Sequence, residues 1–446
     1  MDFPSRASSK IKNYHFARLV VFVATVLSAV LGAWLYAAPS ESALIVGVVM
    51  FLYFIAFAVV FYLFGDPFHP VLFGGVGIFL YASWDPFFSL IRGLALGVCD
   101  FQAFGLASLA LSAFMLSSIF FSQKVPRVGA HGYAFFSSRE SGRHGLLFWV
   151  LVVGVTAATA GAWYSGYASS VTEKRDIDHV TGLGYLLRFV LAFLLFYTVL
   201  TVGKVSRKHA SAVLAIGLFF GMSMLFLLGE RNYIVMFFMA VLFAKFHFSA
   251  ELGKRNIFFL FLFILILLPL SQGVKGLFSW GGYGGLEVYQ GLATFHAQEF
   301  RAGGRNLANL LCLLSAGDYP GLHLRDIGRF FYFNNSGSHQ FINHQIGWGG
   351  MGRGFSLVGQ QWLVGGWAAV VSFYVVAGLL IGSLYRVMHR GTFFAVLYLF
   401  FTLGFVYAQR ADLANWLAFG IKTGLIPLLF ASFLLRMKVG HAKVES

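Results

Sequence analysis

The chain has 446 residues, of which 59% are hydrophobic and only 11% charged, with 53 phenylalanines and a mean hydropathy of +0.77. A soluble domain carries about 25% charged residues, so a cytosolic enzyme, a disordered chain and a disulfide-framed secreted domain are excluded. The net charge of +15 rests on 32 basic and 17 acidic residues, too thinly spread for the continuous basic face of a nucleic-acid binder.

An apolar run of about 20 residues spans a bilayer as a helix. Twelve such runs follow one another: 17–38, 42–64, 70–84, 99–121, 145–165, 182–202, 210–228, 232–248, 257–274, 356–385, 393–409 and 413–435. The first follows Arg6, Lys10, Lys12 and Arg18, and its stretch from Leu19 to Ala38 outruns the ~7–15 residues of a signal-peptide core; it is expected to remain as a span. The third is short and interrupted near Trp84-Asp85-Pro86. The reading is an all-α integral membrane protein of about 12 transmembrane helices.

Basic residues set its orientation. With the N-terminus inside, 19 of the 32 basic residues fall on the inner side, among them Lys124, Arg127, Arg139, Arg143, Lys204, Arg207, Lys208, Lys254, Arg255, Arg386 and Arg390. That bias follows the positive-inside rule and predicts both termini in the cytoplasm. Nearly all of the excess charge is therefore a topology signal.

Between the ninth and tenth runs lies one outer stretch, residues 275–355, too long for a structureless connector. It divides the chain into helices one to nine (1–274), a large outer loop (275–355), and helices ten to twelve with a cytoplasmic tail (356–446). Helices are expected over 286–302 and 305–315, the second ended by Gly317 and Pro320. No internal repeat is evident, which argues against an inverted-repeat transporter.

Cys99 and Cys312, the two cysteines, both lie near the outer side. An oxidising compartment would permit a disulfide, but cysteine is also a common small buried hydrophobe, and that plainer reading is preferred. Gly347, Gly349 and Gly352 match a dinucleotide fingerprint without its strand–helix context. Asp176 and Asp178 could hold a divalent cation, although a mixed-charge cluster of this kind is more often a solvated loop. No metal or cofactor is expected.

Arginine on the outer side carries more information. Arg231 and Arg410 occupy tight outer turns, and Arg353 lies in the glycine-rich run Gly347–Gly354. Arg301, Arg305, Arg325 and Arg329 lie in the long loop, and Arg188 near the outer end of the sixth run. Any single arginine could be a salt bridge, with Glu230 or Asp412 as local partners, or could snorkel to headgroups. Together they suit phosphate or pyrophosphate, whose oxygens the guanidinium binds bidentately. Arg231, Arg301, Arg305, Arg353 and Arg410 are the expected pyrophosphate ligands; Arg188, Arg325 and Arg329 are expected to bind substrate. An acid or imidazole beside them could deprotonate a sugar hydroxyl. Glu299, His339 and His344 are the candidates, with His296, His323 and Asp326 as further titratable residues of the loop.

Several elements resemble one family. They are Gly229-Glu230-Arg231 opening a span, the large loop, Gly354-Phe355-Ser356 with Gly365-Gly366 beginning the next span, and Arg410-Ala411-Asp412-Leu413 with Pro427 in the last span. In order and placement they look like the Wzy-type O-antigen polymerases, the oligosaccharide repeat unit polymerases. The resemblance implies an inner-membrane glycosyltransferase of lipopolysaccharide biosynthesis, GT-C-like and related in architecture to the O-antigen ligases, with one structured periplasmic loop. Such an enzyme would transfer the growing glycan from undecaprenyl pyrophosphate to a sugar hydroxyl of the incoming lipid-linked unit, beside membrane lipid and a chain-length-regulating membrane protein. An O-antigen ligase is the near alternative, and a transporter or flippase of lipid-linked oligosaccharide the distant one. Many members carry Glu after the Gly-Phe-Ser element, where this chain has Gln360 and Gln361.

Overall fold

A computed structural model describes residues 5–39, 43–122, 141–164, 183–202, 207–228, 232–248, 301–331, 338–345 and 355–436. All regular structure among them is helical. Among the described residues, nine helices are long and apolar enough to cross a membrane, and Asn232–His247 and Thr392–Ala408 are shorter apolar helices. The protein is an all-α, multi-pass integral membrane protein. The expected span 257–274 lies outside the described residues, as do Glu299, Arg231, Arg353, Asp176 and Asp178.

The chain divides into two compact units. The first contains α1 (Ser5–Ala37), α2 (Ala43–Phe64), α3 (Pro70–Ile78), α4 (Trp84–Ile91) and α5 (Val98–Phe121). It continues with α10 (Arg301–Leu313), α11 (Leu322–Phe330), α12 (Ser338–Gln345) and α13 (Leu357–Val387), then takes most of α14 (Thr392–Ala408) and α15 (Leu413–Leu417). The second unit contains α6 (Ser141–Trp163), α7 (Leu183–Val202), α8 (Arg207–Leu228), α9 (Asn232–Phe248) and α16 (Ile426–Arg436). Within it, Phe189 and Phe193 of α7 pack against Phe430 of α16, with ring centroids 5.7 and 6.2 Å apart.

The third span is longer than its sequence suggests. α3 passes through a π-helical turn, Phe79–Ser83, into α4, so the span runs from Pro70 to Ile91. Pro86 has no N–H and its ring crowds the carbonyl four residues back, at Ala82; a locally widened helix absorbs both defects. Pro427 repeats the device: a π-helical stretch, Ala418–Leu425, precedes it and contains Thr423, its own fourth residue back.

Of the two expected loop helices, the first, 286–302, lies outside the described residues up to residue 300, and the second differs from expectation. α10 begins at Arg301 rather than 305 and runs through Gly303 and Gly304. Those glycines let it lie directly on the π turn and α4: a Cβ at Gly303 would stand 2.0 Å from the Tyr81 carbonyl oxygen, and one at Gly304 3.0 Å from Asp85 Cβ. Tertiary packing therefore overrides the poor helix propensity of glycine. The plainer reading of the cysteines is overturned too. Cys99, in the first turn of α5, and Cys312, near the end of α10, form a disulfide with Cα atoms 5.7 Å apart.

α13 is broken one third of the way along. Gly365 and Gly366 leave the helical region, Gly366 at φ +65°. The break strips carbonyls just before it of their helical partners, and the loop supplies new ones: Gly317 N–H donates to Trp362 O at 3.3 Å and Tyr319 N–H to Leu363 O at 3.0 Å. Within a membrane protein every such group must be satisfied by protein. The segment Leu357–Val364 is thereby fixed against the loop, with Gln360 and Gln361 fully buried.

Candidate functional site

The site is built where α11, the first turns of α13 and the turn between α14 and α15 meet in the first unit. α11 buries Leu322 and Asp326, one helical turn apart, and exposes Leu324 and Ile327. A carboxylate on the buried stripe of an amphipathic helix needs donors, because an unpaired buried charge is strongly unfavourable. Asp326 has three: Ser338 N–H donates to Oδ1 at 2.8 Å, while Gln360 Nε2 at 2.6 Å and Ala414 N–H at 3.3 Å donate to Oδ2. Gln360 also donates to Ser338 Oγ at 3.1 Å and accepts from Leu413 N–H at 3.0 Å. One buried amide thus ties the loop, α13 and α15 together.

The α14–α15 turn is held with equal economy. Asp412 caps α15, its Oδ1 accepting from Asn415 N–H at 3.0 Å and Asn415 Nδ2 at 2.6 Å. Such a cap satisfies a donor that the helix start leaves open. Its Oδ2 pairs with Arg329 Nη1 at 3.3 Å. Phe355 N–H donates to Arg410 O at 2.9 Å and Leu357 N–H to Gln409 O at 3.4 Å, so the same turn receives the entry of α13. Below it, buried Tyr374 donates to Gln409 Oε1 at 2.6 Å. Ser356, the last residue of the Gly-Phe-Ser element, accepts from Gly359 N–H at 3.3 Å and so caps α13.

Burial raises the Asp326 carboxyl above the ordinary carboxylate range, and the neighbouring Asp412 adds to the rise; the donors from Ser338 and Gln360 oppose it. Arg325 lies over the Phe341 ring, its Cζ 3.9 Å from the centroid, and Tyr319 meets that ring edge-on at 5.9 Å. Arg410 stands 5.7 Å from the centroid of Tyr407. His323 Nε2 lies 2.7 Å from Gln361 Oε1.

Of the residues expected from sequence, this framework gathers Arg325, Arg329 and Arg410. Arg305 is exposed on α10. His344 is exposed in the last turn of α12, while His339 lies in that helix with its side chain outside the described residues. Arg301 opens α10 and its side chain likewise lies outside them. Arg188, half-buried on α7, belongs to the second unit. Asp412 pairs with Arg329, 83 positions away. Ser338, Asn415 and the pairing role of Gln360 escaped sequence reasoning. The available signal was Asp326 itself, placed one turn from Leu322 on the apolar stripe.

No family model, curated protein or solved structure matches this chain.

Proposed function

We propose that the protein is a glycosyltransferase of the bacterial inner membrane that polymerises oligosaccharide repeat units carried on undecaprenyl pyrophosphate, working on the periplasmic side with both termini in the cytoplasm. The observation that carries this reading is the gathering of Arg325, Arg329 and Arg410 on one framework, fixed by the bonds of Gln360 to Asp326 and Leu413 and by the Arg329–Asp412 pair. Fixed guanidinium groups suit a pyrophosphate whose charge grows as the sugar departs. Pyrophosphate is already a good leaving group, so such arginines would supply much of the catalysis and a general base would add to it. The Cys99–Cys312 disulfide supports the orientation, because it suits an oxidising compartment on the side of α10.

The test in cells is the fate of the glycan when the protein is deleted. Loss of long glycan on the lipid carrier supports polymerisation. Normal polymer on the carrier, with only its final attachment lost, would mark a ligase instead. Normal polymer and normal attachment would reject both.

A further inference from the structure

Resting on the glycosyltransferase reading, we propose that His323 is the general base that takes the acceptor sugar's hydroxyl proton, and that Gln361 is the positioning residue that holds its imidazole in the basic tautomer. Gln361 is fully buried, and its Oε1 lies 2.7 Å from His323 Nε2. An amide oxygen only accepts, so Nε2 carries the ring proton and Nδ1 keeps its lone pair. His323 is half-buried, and Nδ1 has no partner among the described residues.

The amide nitrogen of Gln361 is buried with no acceptor among the described residues. A buried donor left in this state costs stability, and an apolar side chain would fill the position without that cost. What the site keeps by retaining glutamine is the oxygen that faces His323.

The placement fits the displacement. At about 100° per residue, Leu324 and Ile327 define the outward face of α11, 74% and 42% exposed, with Phe331 just beyond at 56%. Arg325 lies to one side of that face and His323 to the other. A sugar lying over it has the arginine flank for its departing pyrophosphate and the imidazole on the opposite side, where the incoming hydroxyl must approach. The acceptor oxygen bonds to the anomeric carbon as the carbon–oxygen bond to pyrophosphate breaks. The bonding pair leaves with pyrophosphate, and the hydroxyl proton passes to His323 Nδ1 and then to water.

Among the described residues, the titratable and charged groups on the elements packed against α11 are Asp412 at the α15 cap, Arg410 in the turn before it, and His339 and His344 on α12; α11 itself adds Arg325, Asp326 and Arg329. The turns of α13 that reach α11 carry none, so Gln361 can be changed to an acid without disturbing an existing ion pair.

The experiment is the pH profile of polymerisation by the full chain in proteoliposomes supplied with the purified lipid-pyrophosphate repeat unit. His323→Gln should lower kcat by about 10²–10⁴ while KM stays within a few-fold of wild type. Gln361→Glu should move the acidic limb of the profile to higher pH, because a carboxylate favours the imidazolium; a purely structural Gln361 would change the height of the curve and not its limb. Polymer from wild type and His323→Gln at equal rates overturns the base and leaves the glycosyltransferase reading intact. No polymer from wild type overturns both. Should His323→Gln fail to fold, an unmoved limb in Gln361→Glu overturns the assignment by itself.

Discussion

Arg329 Nη1 lies 3.3 Å from Asp412 Oδ2, joining residues 83 positions apart, with Asp412 fully buried and Arg329 one-third exposed. The pair locks the loop helix α11 to the turn that presents Arg410. It also sets the charge balance of the framework, since Asp412 stands beside Asp326, a second buried carboxyl. Removing the guanidinium leaves two acids in one buried place. Arg329→Ala is therefore expected to cost about 1.5–3 kcal/mol, the range for a charged hydrogen bond, read as a lower melting temperature in detergent. An unchanged melting temperature would make the pair incidental.

Arg410 should behave differently. Its carbonyl, retained in any variant, receives Phe355 N–H. Its guanidinium is the part assigned to pyrophosphate. Arg410→Ala should lose about 10²–10³ in polymerisation rate with a smaller melting shift than Arg329→Ala. Equal melting losses in the two variants, with polymerisation intact in Arg410→Ala, would reassign Arg410 to structure.

The hydrogen bonds at Asp326 have a direction. Oδ1 and Oδ2 both accept from fixed donors, so Asp326→Asn sets an amide N–H₂ against a donor whichever way it turns. Flipping Gln360 only moves the conflict to Leu413 N–H. The expected cost is about 1–3 kcal/mol. Its pH dependence follows from the raised pKa of Asp326. The folded carboxyl keeps its proton to higher pH than the unfolded one. Its contribution is complete below the ordinary pKa of about 3.9 and is lost as pH rises through the folded value. The asparagine variant has no such titration, so its melting deficit should narrow with rising pH. A deficit that widens would contradict the stated direction.

Gly303 tests whether α10 truly rests on the π turn. Alanine favours helix over glycine by about 1 kcal/mol, yet a Cβ there meets the Tyr81 carbonyl at 2.0 Å, a backbone atom that cannot rotate away. Gly303→Ala should therefore destabilise, by about 1–3 kcal/mol as overpacking does. Gly47→Ala on α2, where a Cβ would find nothing within 4 Å, is the control and should be neutral or slightly stabilising. Equal melting temperatures for the two variants would contradict the packing.

The membrane spans were legible because lipid imposes one requirement, about 20 apolar residues per crossing, and the runs around α1, α2, α5 and α13 meet it plainly. The continuation through Pro86 was not, since the π turn that absorbs it depends on local backbone widening rather than on composition. Gly303 and Gly304 fall in the gap between the two expected loop helices, because propensity records local cost and not the carbonyl they let α10 approach. The Cys99–Cys312 bond crosses 213 positions, and spacing in sequence says nothing of proximity at that range. In the site, the arginines of the expected outer side were visible in the sequence. What fixes those arginines was not: Gln360 bridges Asp326 and Leu413 only because three distant segments converge.

The central claim is that this framework serves transfer of a glycan from a lipid pyrophosphate. It is tested most directly by purifying the full chain, reconstituting it in liposomes with the lipid-pyrophosphate repeat unit as the sole substrate, and sizing the products. A ladder of glycans on the lipid carrier from wild type, absent with Arg410→Ala, is the predicted result. Repeat units recovered unjoined after incubation with folded wild-type protein would contradict the account.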